Sequence, residues 1–217
     1  MSFLLNSLSW VEELAWWQLP SAWALLITNL VSAVVGVANG WGLKEFMLLY
    51  WCQSVIIGFF QFLKILDLKE FFTEGFLING RPVSPTPATK RWTAYFFAFH
   101  YGFFHLVYLA FMGFMAVFGG LAKKVGWLTV LSLVGMFFLN HLFSYLTNRK
   151  KDRRRKPNIG SMMFFPYIRI VPMHFTILFA FPFVVEGEQE KVLPLLFFLI
   201  LKTGGDVVMH LIEHRKR

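Results

Sequence analysis

The chain alternates between long apolar stretches and short polar segments, and this pattern predicts its elements. Six stretches approach the roughly 20 apolar residues that a membrane-spanning helix needs. They lie at about 22–40, 45–63, 92–118, 127–146, 162–185 and 193–214. Pro166, Arg169 and Pro172 interrupt the fifth stretch, so we expect a kinked or partly unwound helix there. The sequence therefore predicts an all-α fold, a six-helix membrane bundle that forms one integral membrane domain over residues 1–217.

Two segments outside these stretches also have sequence patterns that predict their structure. Residues 3–19 mix apolar and polar side chains at helical spacing and include three tryptophans, which predicts a helix lying at the membrane interface. The longest loop, 64–91, contains the turn signal Asn79-Gly80. We expect this loop to lie at the interface, to be partly helical at 68–75, and to form no separate domain.

Composition supports the membrane class. Hydrophobic residues make up 57% of the 217 residues and charged residues only 15%, less charge than a soluble domain of this length would carry. Cys52 is the single cysteine. An intramolecular disulfide and a cysteine-based metal site are therefore excluded.

The basic residues predict the orientation. The net charge is +9, and 15 of the 21 Lys and Arg residues lie in the loop 64–91, the basic cytoplasmic loop 149–156 and the tail 215–217, while the alternate loops carry few lysines. The positive-inside rule then places both termini in the cytoplasm of a protein of the cell (inner) membrane. We expect 149–156 to contact anionic lipid headgroups and no nucleic acid, because it lacks interleaved aromatic residues for base stacking. The pattern leaves homo-oligomer formation open.

A polar stripe marks the last predicted span. Lys202, Asp206, His210 and His214 recur every four residues, which places them along one side of a helix. Ionisable groups inside a bilayer usually face protein or water, pair with one another and mark function. The part from Asp206 to His210 is the part we expect to be engaged, because His214 falls at the cytoplasmic boundary.

Other spans bring polar residues to similar depths. At about 1.5 Å per helical residue, these residues lie roughly 8–20 Å from the cytoplasmic ends of their spans. Polar residues placed at random along the spans would occur in both halves of the bilayer. The pattern predicts one polar pocket that opens towards the cytoplasm, lined by His100, His105, His141, Arg169 and His174, with Gln53 near mid-depth.

The histidines suggest a bound metal ion (Zn, Fe or Cu) or haem, because imidazole is the commonest metal ligand. His100 and His105 are about 140° apart around their helix, so we do not expect them to share one ion. The histidine boxes of membrane di-iron enzymes and the zinc motif HExxH are both missing. The candidate cofactor-binding residues are His100, His105, His141, His174 and His210, and the candidate metal ligands are His100, His174, Asp206 and His210.

Two other functions need no cofactor. Lys202 and Asp206 can pair at i, i+4, Arg169 can complete a buried network, and Gln53 can support it. A line of such groups from mid-membrane to the surface suits a protein that handles protons or a small solute. Alternatively, the network only specifies helix packing in a structural subunit. The sequence leaves open whether the protein is an enzyme, with a redox or membrane-enzyme role as the expectation for a bound cofactor.

Four stretches together resemble a known family. They are Tyr50-Trp51 with Gln53, Gly58 and Lys64; the segment from His100 to His105; the segment from Pro166 to His174; and Lys202 with Asp206 and His210. The pattern resembles an uncharacterised family of prokaryotic integral membrane proteins, a domain of unknown function. The resemblance covers predicted spans two to six and implies no activity. An acidic residue is usual near position 53 in that pattern, where this chain has Gln53.

Overall fold

The computed structural model describes residues 20–38, 40–119, 127–185 and 192–215, and these residues are mostly helical. The elements in chain order are α1 (Pro20–Ala38), α2 (Leu43–Asp67), β1 (Leu77–Ile78), β2 (Arg81–Pro82), α3 (Pro87–Gly119), α4 (Trp127–Asp152), α5 (Ile159–Phe164), a 3-10 segment (Phe165–Arg169), α6 (Ile170–Val185) and α7 (Val192–Arg215).

Four helical stretches among the described residues are long and apolar enough to cross a membrane. They are Leu43–Asp67, Pro87–Val117, Val130–Lys150 and Ile159–Phe179. This finding supports a multi-pass membrane protein. The first and sixth predicted spans coincide with α1 and α7, but the count of six spans is not confirmed. The predicted interfacial helix at 3–19 lies outside the described residues.

Helix α2 lies at the centre of the molecule and packs against α3, α4, α5, α7 and the 3-10 segment. It begins where the Glu45 carboxylate accepts a hydrogen bond of 2.7 Å from the Gly42 N–H, satisfying a backbone donor that the first turn leaves free. Its buried side chains include Met47, Tyr50 and Ile65. Because α2 contacts so many elements, polar groups on it can meet side chains from several helices.

The fifth predicted span is interrupted at its prolines, as expected, and the interruption is a 3-10 segment. Helix α5 begins at the N-cap residue Asn158, whose side-chain oxygen accepts a hydrogen bond of 3.0 Å from the Ser161 N–H. The helix then tightens into the 3-10 segment, where Pro166 stands near the start, and α6 follows directly. Proline cannot donate the backbone hydrogen bond that an α-helix needs, so the tighter winding is local to it. The segment carries Tyr167 and Arg169.

The loop between α2 and α3 contains a β-hairpin. Strands β1 and β2 pair antiparallel around Asn79 and Gly80, whose φ angles of 50° and 74° are those of a two-residue hairpin turn. The expected helix at 68–75 is not present, since this part of the loop is turn and extended chain. The Phe72 N–H donates a hydrogen bond of 3.0 Å to the Pro157 carbonyl, which joins this loop to the second basic segment.

Two helix ends differ from the boundaries that hydrophobicity predicted. Helix α3 begins at Pro87, five residues before the apolar stretch, because Thr86 caps it by accepting a hydrogen bond of 3.2 Å from the Thr89 N–H. Helix α4 continues through Asp152. The first half of the predicted basic loop 149–156 is therefore helical, and the ion pair of Arg149 with Asp67 fixes that side chain relative to α2.

Candidate functional site

A buried network centred on Asp206 joins three parts of the chain. One carboxylate oxygen accepts hydrogen bonds from Lys202 Nζ at 2.8 Å and from Asn29 Nδ2 at 3.3 Å. The other accepts from Arg169 at 3.2 Å. Lys202 Nζ also donates to Asn29 Oδ1 at 2.7 Å. The predicted pairing of Lys202 with Asp206, and the participation of Arg169, are therefore present in the structure.

The network is largely removed from the surface. The Asp206 side chain is 9% exposed, Lys202 19% and Arg169 21%. Two cationic side chains and one anionic side chain leave one formal positive charge. Among the described residues, no second carboxylate forms an ion pair with Arg169 or Lys202. A buried excess charge of this kind is unfavourable unless something neutralises it.

Two buried polar atoms beside the network have no hydrogen-bond partner among the described residues. They are Tyr50 Oη and Arg169 Nε. The two side chains lie within reach of each other, since Arg169 acts on the Tyr50 hydroxyl through its charge and as a nearby hydrogen-bond donor, although the two do not meet the geometry of a hydrogen bond. The Tyr50 ring also lies 5.7 Å from Lys202 Nζ, within reach of a cation–π interaction. The Tyr50 hydroxyl therefore faces the network from α2, and Arg169 Nε is an unfilled donor within the network itself.

A second polar cluster lies next to this one, between α2 and α3. Ser54 Oγ and Tyr101 Oη are 2.7 Å apart, and both side chains are buried. The Tyr101 ring fits against α2 because residue 58 is glycine: a Cβ there would lie 2.5 Å from a ring carbon. His100 Nδ1 lies 2.8 Å from the Tyr167 hydroxyl. This cluster connects α2 and α3 to the 3-10 segment.

The predicted histidines occupy separate positions. His105 Nδ1 pairs with the Tyr101 carbonyl at 2.8 Å, and His141 stacks on Phe60 at a ring distance of 6.0 Å. His174 is exposed on α6. The structure does not bring these rings to one point.

No group of three histidine, cysteine or acidic side chains that could hold a metal ion occurs among the described residues. The side chains of His210 and His214 lie outside that set. The metal or haem site therefore stays a prediction, as does the grouping of His100, His174 and Asp206 with His210. Gln53 is half-buried on α2.

Sequence reasoning missed Asn29, and it noted Tyr50 and Ser54 on span two without including them in the predicted site. Asn29 carries the only side-chain amide of α1, and that amide within an apolar helix was the available signal. Tyr50 and Ser54 were hidden because tyrosine and serine are common in membrane helices and carry no charge. Their four-residue spacing on α2, shared with Gly58, places all three on one side of that helix.

An ion-pair cluster lies at the end of the bundle that carries the two basic segments. Asp67, the last residue of α2, accepts hydrogen bonds from Arg149 at 2.6 and 2.9 Å and from Arg153 at 2.6 Å. The Tyr145 hydroxyl donates to the same carboxylate at 2.5 Å. We call these four residues the Asp67 clasp, because they fasten α4 to the end of α2.

Comparison with known proteins identifies a family. A search of curated proteins and a search of solved structures each found no match to this chain. A family model, described as a family of unknown function (DUF6498), matches residues 17–217. That range contains the Asp206 network, the Tyr101 cluster and the Asp67 clasp. The chain therefore belongs to the DUF6498 family of unknown function.

Proposed function

We propose that this membrane protein handles a small anionic solute, which binds beside Asp206 at the unfilled donors of Tyr50 and Arg169. The observation that carries the proposal is the pair of buried donors without partners next to a network with one excess positive charge. A buried polar group without a partner costs about 1–3 kcal/mol, so an acceptor that satisfies both atoms would be favoured.

The chemistry of the donors suggests the class of solute. The Arg169 guanidinium uses one terminal nitrogen for Asp206 and leaves Nε free. A guanidinium matches the planar, paired oxygens of a carboxylate and the oxygens of phosphate-like ions. The excess charge would be balanced by one negative charge. A small monocarboxylate or a singly charged oxyanion is therefore the proposed solute.

The other members of the network have supporting roles in this proposal. Asp206 neutralises one of the two cations, which limits the site to an anion of low charge. Asn29 bridges Lys202 and Asp206, and so holds the ammonium group in place. In the proposed orientation, with the basic segments in the cytoplasm, the solute reaches the network from the cytoplasmic half of the membrane.

The first test measures thermal unfolding of the detergent-purified protein with acetate, lactate, nitrate or phosphate. We expect at least one of these anions to raise Tm in a concentration-dependent way, as ligands that bind only the folded state do. Failure of all four to stabilise the protein would contradict the proposal. Elemental analysis and an absorption spectrum of the same sample test the alternative of a metal ion or haem.

Tyr50→Phe is the informative variant, and Tyr108→Phe is its matched control. Both hydroxyls are buried without a described partner, so removing either should stabilise the ligand-free protein slightly. Only Tyr50 lies beside the network. We expect Tyr50→Phe to lose most of the anion-induced rise in Tm and Tyr108→Phe to retain it. Equal responses of the two variants would place the anion elsewhere.

A further inference from the structure

The Asp67 clasp divides the basic residues at the end of α4 into two sets. Arg149 and Arg153 are four residues apart, so they lie on the same side of the helix and both turn towards Asp67. Their positive charges are partly balanced by that carboxylate. Of the other described basic side chains of this segment, Lys156 lies 3.9 Å from Glu70, and the rest form no ion pair with a described carboxylate.

Three of those remaining residues surround an open cleft. Its lining consists of Thr147, Lys150, Arg154 and Arg155. All four side chains are exposed, and none of the three cations forms an ion pair with a described carboxylate. The cleft thus offers three positive charges and one hydroxyl to an outside group. Phosphate oxygens suit such a set of donors.

An apolar stripe leads directly to this cleft. Leu139, Phe143 and Leu146 are 62%, 70% and 58% exposed, and they continue to Lys150 at intervals of four, three and four residues. These intervals keep all four residues on one side of α4. Leu146 and Lys150 are one helical turn apart, about 6 Å along the axis. The stripe is long and apolar enough for an acyl chain to lie along it. The cationic cleft lies at the end of the stripe.

We propose that the cleft binds the phosphate of an anionic phospholipid whose acyl chain lies along this stripe of α4. The stripe is part of Val130–Lys150, one of the helices that are long and apolar enough to cross a membrane. Lys150 therefore stands at the depth where headgroups begin. This site is separate from the Asp206 network and does not depend on the proposed function.

The test measures lipid binding to the full-length purified protein by native mass spectrometry. The probes are dioleoyl phosphatidylglycerol and dioleoyl phosphatidylcholine. We expect the wild-type protein to prefer the anionic lipid and the triple variant Lys150→Gln/Arg154→Gln/Arg155→Gln to bind it roughly a hundredfold more weakly, since each basic residue near a membrane surface contributes about 1 kcal/mol. An unchanged affinity of the triple variant would overturn the proposal.

A second triple variant controls for the loss of charge. Lys69, Arg81 and Arg91 are exposed residues of the other basic segment, at the same end of the bundle. Their replacement by glutamine removes the same formal charge without altering the cleft. We expect this variant to bind phosphatidylglycerol within about twofold of the wild-type protein, because none of the three residues lines the cleft and the attraction of a charge for a headgroup falls off within a Debye length. Equal weakening by both triple variants would indicate general electrostatic attraction and would contradict a specific site.

The variant Phe143→Gln/Leu146→Gln distinguishes a lipid from free phosphate. Its substitutions lie on the exposed side of α4, so folding should be retained, as circular dichroism can verify. We expect it to bind the anionic lipid several-fold more weakly than wild-type protein. Normal lipid binding by this variant, together with displacement of the lipid by millimolar inorganic phosphate, would show a phosphate site without acyl-chain contact and would overturn the proposal.

Discussion

Asp206 accepts hydrogen bonds from three side chains that come from three different segments. Asn29 belongs to α1, Arg169 to the 3-10 segment and Lys202 to α7, so one carboxylate connects parts of the chain that are 177 and 37 residues away from it. The stability of this site therefore depends on the balance between one carboxylate and two cationic side chains. Losing the single carboxylate would leave two buried cations facing each other.

Asp206→Asn should therefore destabilise the protein strongly. We expect a loss of about 3 kcal/mol in the free energy of unfolding, because both cations lose their partner. Chemical unfolding in detergent, followed by circular dichroism, measures it. The double variant Lys202→Met/Asp206→Asn should lose less than the sum of the two single variants, since each single change already breaks the pair. Additive losses would mean that the two residues do not interact.

At the scale of elements, close contact between α2 and α3 depends on small residues. Glycine at position 58 lets the Tyr101 ring lie against α2, and Ser54, one turn earlier, is the residue that Tyr101 reaches. Gly36 likewise lets an aromatic ring lie close to α1, since a Cβ there would lie 2.2 Å from the Phe46 ring. Aromatic rings fill the spaces that these glycines leave, and this packing determines where the polar groups on each helix meet.

Gly58→Ala tests this packing. The added methyl group would overlap the Tyr101 ring and displace its hydroxyl from Ser54, so we expect a loss of about 1–3 kcal/mol in the free energy of unfolding. Gly102→Ala is the control, because a Cβ at that position in α3 meets nothing within 4 Å. Thermal unfolding of both variants gives the comparison. Similar Tm values for the two would show that the ring contact carries little stability.

The sequence predicted some of these contacts and missed others, for a physical reason. Lys202 and Asp206 lie on one helix, so their spacing alone determined that they can pair. A similar predicted depth suggested that Arg169, on another span, could complete the network, and it does bond to Asp206. Depth, however, gives no information on rotation about a helix axis, which tertiary packing decides. His141 and His174 therefore share the predicted depth with the network but point to other neighbours.

At the scale of the whole molecule, α4 is the least enclosed of the described helices that could cross a membrane. It packs chiefly against α2, and the Asp67 clasp fastens its basic end. The same end carries the cleft proposed to bind lipid. The position of α4 thus depends on its packing against α2, on the Asp67 clasp and on what surrounds its exposed side.

Asp67→Asn should loosen this end of the molecule without unfolding it. We expect faster hydrogen–deuterium exchange in residues 149–158, because Arg149 and Arg153 lose their shared partner. Glu70→Gln is the control, since the Glu70–Lys156 pair is long, at 3.9 Å, and exposed. If the exchange rates of both variants differed from those of the wild-type protein by the same amount, the clasp would not hold α4.

The residues of the Asp206 network are far apart in the sequence, and this has a consequence for biosynthesis. Lys202 is made 173 residues after Asn29, which at 5–20 residues per second is a delay of roughly 9–35 s. Arg169 likewise precedes its carboxylate by 37 residues. Until α7 emerges from the ribosome, the growing chain therefore carries an unpaired amide and an unpaired guanidinium, and insertion of the last helix completes the polar interior.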